Sequence, residues 1–225
     1  MFNKELYLVR HGQASFGAAN YDQLSSLGVQ QSTWLGEYFA QRQIRFDSIF
    51  TGTMQRHRQT AQAIQVAMGD SQARHEHSGL NEYDFSALHD TVASHQEFPR
   101  TPTDEEKIAF YRQLKKALHL WASDRLNTNM PETWAQFKAR IHTGLLAATD
   151  CSAQRILIIS SGGPLGIAVQ HALGAPDAAA VESSLLVRNA CFCHYYVTGD
   201  GLRLSSFNAI PHLDQPDRLT AITYA

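Results

Sequence analysis

Short apolar runs alternate along this chain with longer stretches in which apolar residues recur every three or four positions. The short runs have the length of strands, and the longer stretches have the period of an amphipathic helix. This alternation is typical of a parallel sheet with helices packed on both faces. The pattern therefore predicts an α/β fold in three layers around a mostly parallel central sheet.

The periods, together with cap and turn residues, place the predicted elements on the sequence. Strands are expected at 5–10, 46–50, 74–77 and 155–160, and helices at 25–42, 55–68 and 164–173. The run at 155–160 is the most apolar of the chain, so we expect it at the centre of the sheet. The remaining residues resemble strands around a hairpin turn at Gly199-Asp200-Gly201.

The stretch from about 84 to 150 has a helical pattern throughout. Thr103 and Glu106 have the spacing of a capping box, which marks the start of one helix. Pro131 is expected to open the next helix, with Trp134 on its apolar face. We interpret residues 84–130 as a helical excursion, like a cap, within a single domain that spans residues 1–225.

Composition and charge limit the classes of function. The formal net charge is -2 at pH 7, so no broad positive field attracts nucleic acid or an anionic membrane. No run of 18 apolar residues occurs, and the three cysteines form no Cys-x-x-Cys pair. We therefore expect a cytoplasmic protein that binds neither nucleic acid nor membrane, and the sequence leaves its oligomeric state open.

Candidate chemistry lies where the predicted strands end. The first strand ends in Arg10-His11-Gly12; an imidazole nitrogen can accept a phosphoryl group, and a guanidinium matches two phosphate oxygens at once. The carboxyl ends of parallel strands meet at one sheet edge, which brings Arg56 and the segment 160–163 to the same place. Both lie at a helix start, where backbone N–H groups favour an anion. These residues predict a phosphate site.

Four segments, in this order, resemble motifs of the histidine phosphatase superfamily, which includes phosphoglycerate mutases and many phosphatases. They are Leu8-Val9-Arg10-His11-Gly12-Gln13, Leu24-Ser25-Ser26-Leu27-Gly28-Val29-Gln30-Gln31, Arg56-His57-Arg58-Gln59-Thr60-Ala61 and Leu80-Asn81-Glu82-Tyr83. The third is similar to an Arg-Ala-x-Gln-Thr-Ala element of the family. The resemblance covers nearly the whole chain. It implies that His11 is the nucleophile, that Glu82 is the proton donor and that Arg10 and Arg56 bind phosphate, with no metal or other cofactor.

The chain departs from this pattern within the expected phosphate pocket. The family usually has Ser-His-Gly-Gly after the central strand, whereas this chain has Ser160-Ser161-Gly162-Gly163. Losing one preorganised donor typically costs on the order of 10²–10³ in rate. Because Ser161 still offers a hydroxyl, we expect Ser161 and Gly162 to bind the phosphate of a weakened enzyme. His57, next to Arg56, is an alternative donor, but it points about 100° away around the helix, which favours a role in the core or on the surface.

The expected activity is hydrolysis of a small-molecule phosphate monoester through a phosphohistidine on His11, with inorganic phosphate as the product. The main alternative is a weak or inactive member of the family that binds phosphate as a regulatory module. A phosphomutase is less favoured, because the excursion supplies few cations for a closed basic pocket. A metal site at His75 and His77 is a further alternative, but their spacing matches no metal-ligand motif.

Overall fold

The computed structural model describes residues 4–15, 21–92, 103–126 and 130–224. The strands in this part of the chain form one sheet in the order β3-β2-β4-β1-β5-β6. They are β1 (Lys4–Arg10), β2 (Ser48–Thr51), β3 (Arg74–Glu76), β4 (Arg155–Ser160), β5 (Phe192–Thr198) and β6 (Gly201–Ala209). The first four strands are parallel to one another, and β5 and β6 form an antiparallel edge. The predicted mostly parallel sheet is confirmed.

Helices cover both faces of this sheet, as predicted. They are α1 (Ser26–Gln41), α2 (Gln55–Met68), α3 (Phe85–Val92), α4 (Asp104–Ala122), α5 (Trp134–Thr149), α6 (Gly162–Leu173) and α7 (Asp177–Leu186). The side chains of β1 alternate between two hydrophobic cores. Tyr7 and Val9 pack with α1 and α2, whereas Leu6 and Leu8 pack with α5, α6 and α7. This alternation explains why every residue from Leu6 to Val9 is buried.

The most apolar strand lies at the centre, as its composition predicts. β4 pairs with β1 on one side and with β2 on the other, and Ile156 to Ile159 are fully buried. In the register of these strands, Arg10 aligns with Ser160 and Thr51 aligns with Ile159. The carboxyl ends of β1, β2 and β4 therefore meet at one edge, where the loops that follow them converge.

Helix starts agree with the sequence where a side-chain cap marks them. Ser25 caps α1, and the capping box of Thr103 and Glu106 opens α4 as predicted. α5 begins at Trp134 instead of Pro131, because Thr133 and Gln136 form an unpredicted capping box. α6 begins at Gly162, two residues earlier than predicted.

One helix of the structure has no counterpart among the predicted helices. We expected strands after α6, but Asp177–Leu186 forms α7. Its run of alanines has high helix propensity, and Asp177 supplies a negative charge to the first turn. Among the described residues, no helix combines the length and the apolarity that crossing a bilayer requires.

Candidate active site

A cavity opens at the edge where β1, β2 and β4 end. Its lining includes Arg10, His11, Arg56, Glu82 and Gly162. Five of the six predicted site residues are therefore brought together from the end of β1 and the loop after it, from the first turns of α2 and α6, and from the loop before α3. The sixth, Ser161, is fully buried and does not line this cavity.

The imidazole of His11 is held as the neutral tautomer that a nucleophile requires. Its Nδ1 lies 2.7 Å from the carbonyl oxygen of Gly12, which can only accept, so Nδ1 carries the proton. The other nitrogen, Nε2, accepts a hydrogen bond of 3.2 Å from Nε of Arg56. Burial, followed by the charges of Arg56 and Arg10, lowers the pKa of His11 well below its ordinary value. The Nε2 lone pair therefore faces the cationic part of the cavity.

Arg56 is fixed by an acidic partner as well as by His11. Its Nη1 donates to Oδ1 of Asp22 over 2.7 Å, and the guanidinium lies 5.7 Å from the ring centre of Tyr21. The side chain of Arg56 is 7 % exposed. Its Nε consequently points at Nε2 of His11 rather than into solvent.

Arg10 is anchored by backbone carbonyls from the distant end of the chain. Its Nη1 donates to the carbonyl oxygens of Val187 and Tyr224. Its buried Nε finds no hydrogen-bond acceptor among the described residues. The segment near Tyr224 is itself tied to α1, since Gln31 donates to Ala221 O over 2.7 Å and to Thr223 Oγ1. The sequence contained no signal for this anchoring, because it joins segments that are far apart along the chain.

Glu82 lies across the cavity with its carboxyl group held against α6. Its Oε2 accepts from the backbone N–H of Gly163 over 3.0 Å, and its Oε1 accepts from Tyr83 N–H. Burial raises the pKa of Glu82, although the Gly163 N–H and the charge of Arg56 oppose this shift. Glycine at position 163 leaves room for this carboxyl group, because a Cβ there would lie 2.2 Å from Oε1 of Glu82.

Arg140, on α5, holds the loop that carries Glu82, and the sequence motifs did not point to it. Its guanidinium donates to the carbonyl oxygens of Gly79, Asn81 and Glu82 and pairs with Glu132 at 2.7 Å. One side chain thus fixes the backbone on which the carboxyl group depends.

Ser161 contacts a residue that the sequence placed elsewhere. Its hydroxyl oxygen lies 2.7 Å from Nε2 of His57, and both side chains are fully buried. The ring centres of His57 and His11 are 5.7 Å apart. Arg58 does not line the cavity and pairs with the exposed Glu76.

The alternative metal site finds no support in the geometry. His77 accepts from the backbone N–H of Gly79, and the ring of His75 packs on Phe50. Within the described ranges, no group of three or more His, Cys, Asp or Glu residues is arranged to hold a metal ion.

The rest of the cavity lining is mostly apolar and largely aromatic. We call this surface the aromatic rim, and it consists of Tyr21, Phe85, Phe110, Tyr111, Leu114 and Leu185. The rings of Phe85 and Phe110 lie 5.9 Å apart. Arg10 and Arg56 are the only cationic side chains among the described residues that line the cavity.

Comparisons with known proteins identify the family of this chain. The family model of the histidine phosphatase superfamily (branch 1) matches residues 6–210. A search of curated proteins finds no match.

Solved structures with this fold include several phosphatases. Phosphoserine phosphatase from Entamoeba histolytica is 18% identical at a TM-score of 0.65, covering 93% of this chain and 99% of that chain. Alpha-ribazole phosphatase from Shigella flexneri is 18% identical at a TM-score of 0.62, covering 91% and 96%. A mycobacterial glucosyl-3-phosphoglycerate phosphatase is 18% identical at a TM-score of 0.64, covering 92% and 99%. At such identities these likenesses show the fold.

Proposed function

Because this chain belongs to the histidine phosphatase superfamily, we propose that it hydrolyses small phosphate monoesters through a phosphohistidine on His11. The observation that carries this proposal is the neutral His11, whose Nε2 lies 3.2 Å from Arg56 Nε in a cavity shared with Arg10 and Glu82. The phosphatases among the solved structures with the same fold support a hydrolytic reaction.

In the first half of the reaction, the ester phosphate takes over the donors of Arg56 and Arg10. The Nε of Arg56 moves from His11 Nε2 to a phosphoryl oxygen, which frees the lone pair for attack on phosphorus. As the nitrogen–phosphorus bond forms, the ester bond to the leaving oxygen breaks and that oxygen takes the proton of Glu82. The two guanidinium groups neutralise the charge on the transferring group. The raised pKa of Glu82 favours the protonated form that this step needs.

In the second half, water attacks the phosphorus of the phosphohistidine. The ionised Glu82 takes a proton from that water, the nitrogen–phosphorus bond breaks, and inorganic phosphate leaves. Nε2 of His11 recovers its lone pair, and Glu82 is again protonated, so both residues end as they began. Side chains carry every step, and we expect the activity to be insensitive to chelators.

The aromatic rim favours esters whose leaving group is apolar. Both arginines of the described lining are committed to the phosphoryl group, so a carboxylate on the leaving group would find no cationic partner there. An aromatic leaving group would instead bury apolar surface against Phe110 and its neighbours, at about 25 cal/mol per Å². We therefore assign the protein to phosphatases of apolar phosphate monoesters.

The test compares benzyl phosphate, ethyl phosphate and phosphoserine, which all release alkyl alcohols, in wild type and in His11→Ala. We expect wild type to hydrolyse benzyl phosphate with the highest kcat/KM, and His11→Ala to lose at least about 10³-fold. Mass spectrometry of rapidly quenched enzyme should detect a phosphoryl group on His11.

Other results would point to the alternatives. Tight binding of inorganic phosphate without turnover or a phosphoenzyme would identify a binding module. Transfer of the phosphoryl group to a second hydroxyl of the substrate, in preference to water, would identify a mutase. Equal kcat/KM for phosphoserine and benzyl phosphate would remove the assignment of the leaving group but leave the hydrolytic function intact.

A further inference from the structure

Two departures from the motifs of the superfamily lie in contact with each other. Ser161 stands where the family has histidine, and His57 stands where the family element has alanine. These residues are 104 positions apart in the chain, yet Nε2 of His57 is 2.7 Å from Oγ of Ser161. An imidazole is therefore present beside the pocket, but it is supplied by α2 instead of by the loop after β4.

The surroundings of His57 determine which of its nitrogens carries the proton. Nδ1 is buried without a hydrogen-bond partner among the described residues and faces Gly52, where a Cβ would lie 2.2 Å away. A buried N–H without an acceptor is rarely tolerated, so the proton belongs on Nε2. Burial and the charge of Arg56 lower the pKa of His57 well below its ordinary value, which keeps the ring neutral. Nε2 therefore donates to Ser161.

This donation decides what the hydroxyl of Ser161 can do. With a lone pair of Oγ occupied by His57, the hydroxyl proton must point elsewhere, and no second partner for it occurs among the described residues. Ser161 directly follows Ser160, whose carbonyl oxygen accepts from His11 N–H, and it directly precedes Gly162 of the cavity wall. The ring of His57, which contacts this hydroxyl, has its centre 5.7 Å from the ring centre of His11, so the hydroxyl is close to His11 although Ser161 does not line the cavity.

We propose that His57 is a positioning residue that orients Ser161, so that its hydroxyl donates to an oxygen of the phosphoryl group held by Arg10 and Arg56. The pair replaces a single histidine at position 161 with a two-residue donor of no net charge. This inference rests on the proposed function, because the donor acts on a group that His11 receives.

The first test is a double-mutant cycle with benzyl phosphate, using Ser161→Ala, His57→Ala and the double variant. Each single variant should lower kcat about 10–10²-fold with a smaller change in KM, because the lost donor acts on the transferring group. The double variant should be no more than about threefold slower than Ser161→Ala, because His57 acts only through the hydroxyl. His57→Gln, whose amide can still donate to Ser161, should recover most of the loss. The exposed His142→Ala serves as the control that leaves kcat unchanged.

A second test exchanges the two residues. Ser161→His alone should lower kcat, because the ring of His57 already fills the space beside Oγ. His57→Ala combined with Ser161→His should return kcat to within about tenfold of wild type. Thermal unfolding of every variant separates loss of the fold from loss of the donor.

Three results would overturn the proposal. They are an unchanged kcat in His57→Ala, losses that multiply in the double variant, and an exchange variant no faster than Ser161→His. If wild type shows neither turnover nor phosphohistidine, the proposed function fails instead. In that case, the Kd for inorganic phosphate is measured for the same three variants. A double variant that binds about as weakly as Ser161→Ala supports the His57–Ser161 pair, and losses of affinity that multiply reject it.

Discussion

Burial favours the charge states that His11 and Glu82 need in their proposed roles, as nucleophile and as proton donor. It lowers the pKa of the imidazole and raises the pKa of the carboxyl group, so it favours the uncharged form of each group. A neutral imidazole is a nucleophile, and a protonated carboxyl is a proton donor. Burial of both groups thus favours the protonation states that the two halves of the proposed reaction need.

The pH dependence of wild type and Glu82→Gln checks this assignment. Wild-type kcat/KM for benzyl phosphate should rise as His11 loses its proton and fall as Glu82 ionises, above its ordinary value of 4.5. Glu82→Gln should be slower by about 10²-fold and should lack the alkaline decline due to Glu82. Ionisation of the substrate affects both enzymes equally, so their difference isolates Glu82. If Glu82→Gln has the rate and the pH profile of wild type, Glu82 takes no part in the mechanism.

A single methyl group at Gly163 tests the placement of the same carboxyl group. In Gly163→Ala, the new Cβ would lie 2.2 Å from Oε1 of Glu82 and would push the carboxyl away from the leaving oxygen. We expect kcat to fall by about 10²-fold in steady-state assays, because misplacement by about 1 Å has such costs. Gly199→Ala, where a Cβ meets no atom within 4 Å, is the matched control. Equal activities in the two variants would contradict the placement.

At the scale of elements, the site depends on how α5 is joined to the loop before α3. Arg140 donates to three carbonyl oxygens of that loop, and Thr133 and Gln136 fix the start of its helix. A guanidinium can span several acceptors in one plane, whereas an ammonium group cannot. The position of Glu82 is consequently set by α5, of which no residue lines the cavity.

Arg140→Lys should therefore impair catalysis without abolishing binding. We expect kcat to fall by about 10²-fold while KM changes little, because the carboxyl group shifts and both phosphate arginines remain. Steady-state kinetics measures the changes in kcat and KM separately. Arg58→Lys, at an exposed ion pair with Glu76, provides the control. A change confined to the melting temperature would reduce Arg140 to a structural role.

At the scale of the whole molecule, buried neutral histidines make the fold sensitive to acid. His212 is 2 % exposed, and burial together with the charge of Arg218 lowers its pKa to about 3. The unfolded chain takes up a proton at this position below about pH 6.5, whereas the folded chain does not do so until about pH 3. Stability should consequently decrease as the pH falls through this range, by up to about 1.4 kcal/mol per unit.

Urea unfolding at pH 6.5 and pH 4.5 measures this contribution. His212→Phe should lose about 2–3 kcal/mol less than wild type between the two values, whatever its stability at pH 6.5. His75→Gln, at an exposed position of β3, should behave as wild type does. An identical loss in His212→Phe and wild type would show that His212 does not titrate in the manner inferred.

The sequence by itself determined the fold class, the central place of β4 and the edge where the site lies. Apolar periodicity is a local property, and parallel strands bring their carboxyl ends together whatever lies between them. It also indicated Arg10, His11, Arg56 and Glu82, because their spacing resembles motifs of the superfamily. It did not predict α7, since a short alanine-rich run has little periodicity to distinguish it from a strand.

Only the tertiary structure decided which groups contact and position the residues of the candidate site. The contacts of His57 with Ser161, of Arg140 with the Glu82 loop and of Arg10 with the Tyr224 carbonyl join positions that are 104, 58 and 214 residues apart. Such partners depend on how separate elements pack, and on rotamers that burial selects, and no local pattern encodes either. The sequence therefore indicated the residues of the candidate site. Packing determined the direction in which their protons and lone pairs point.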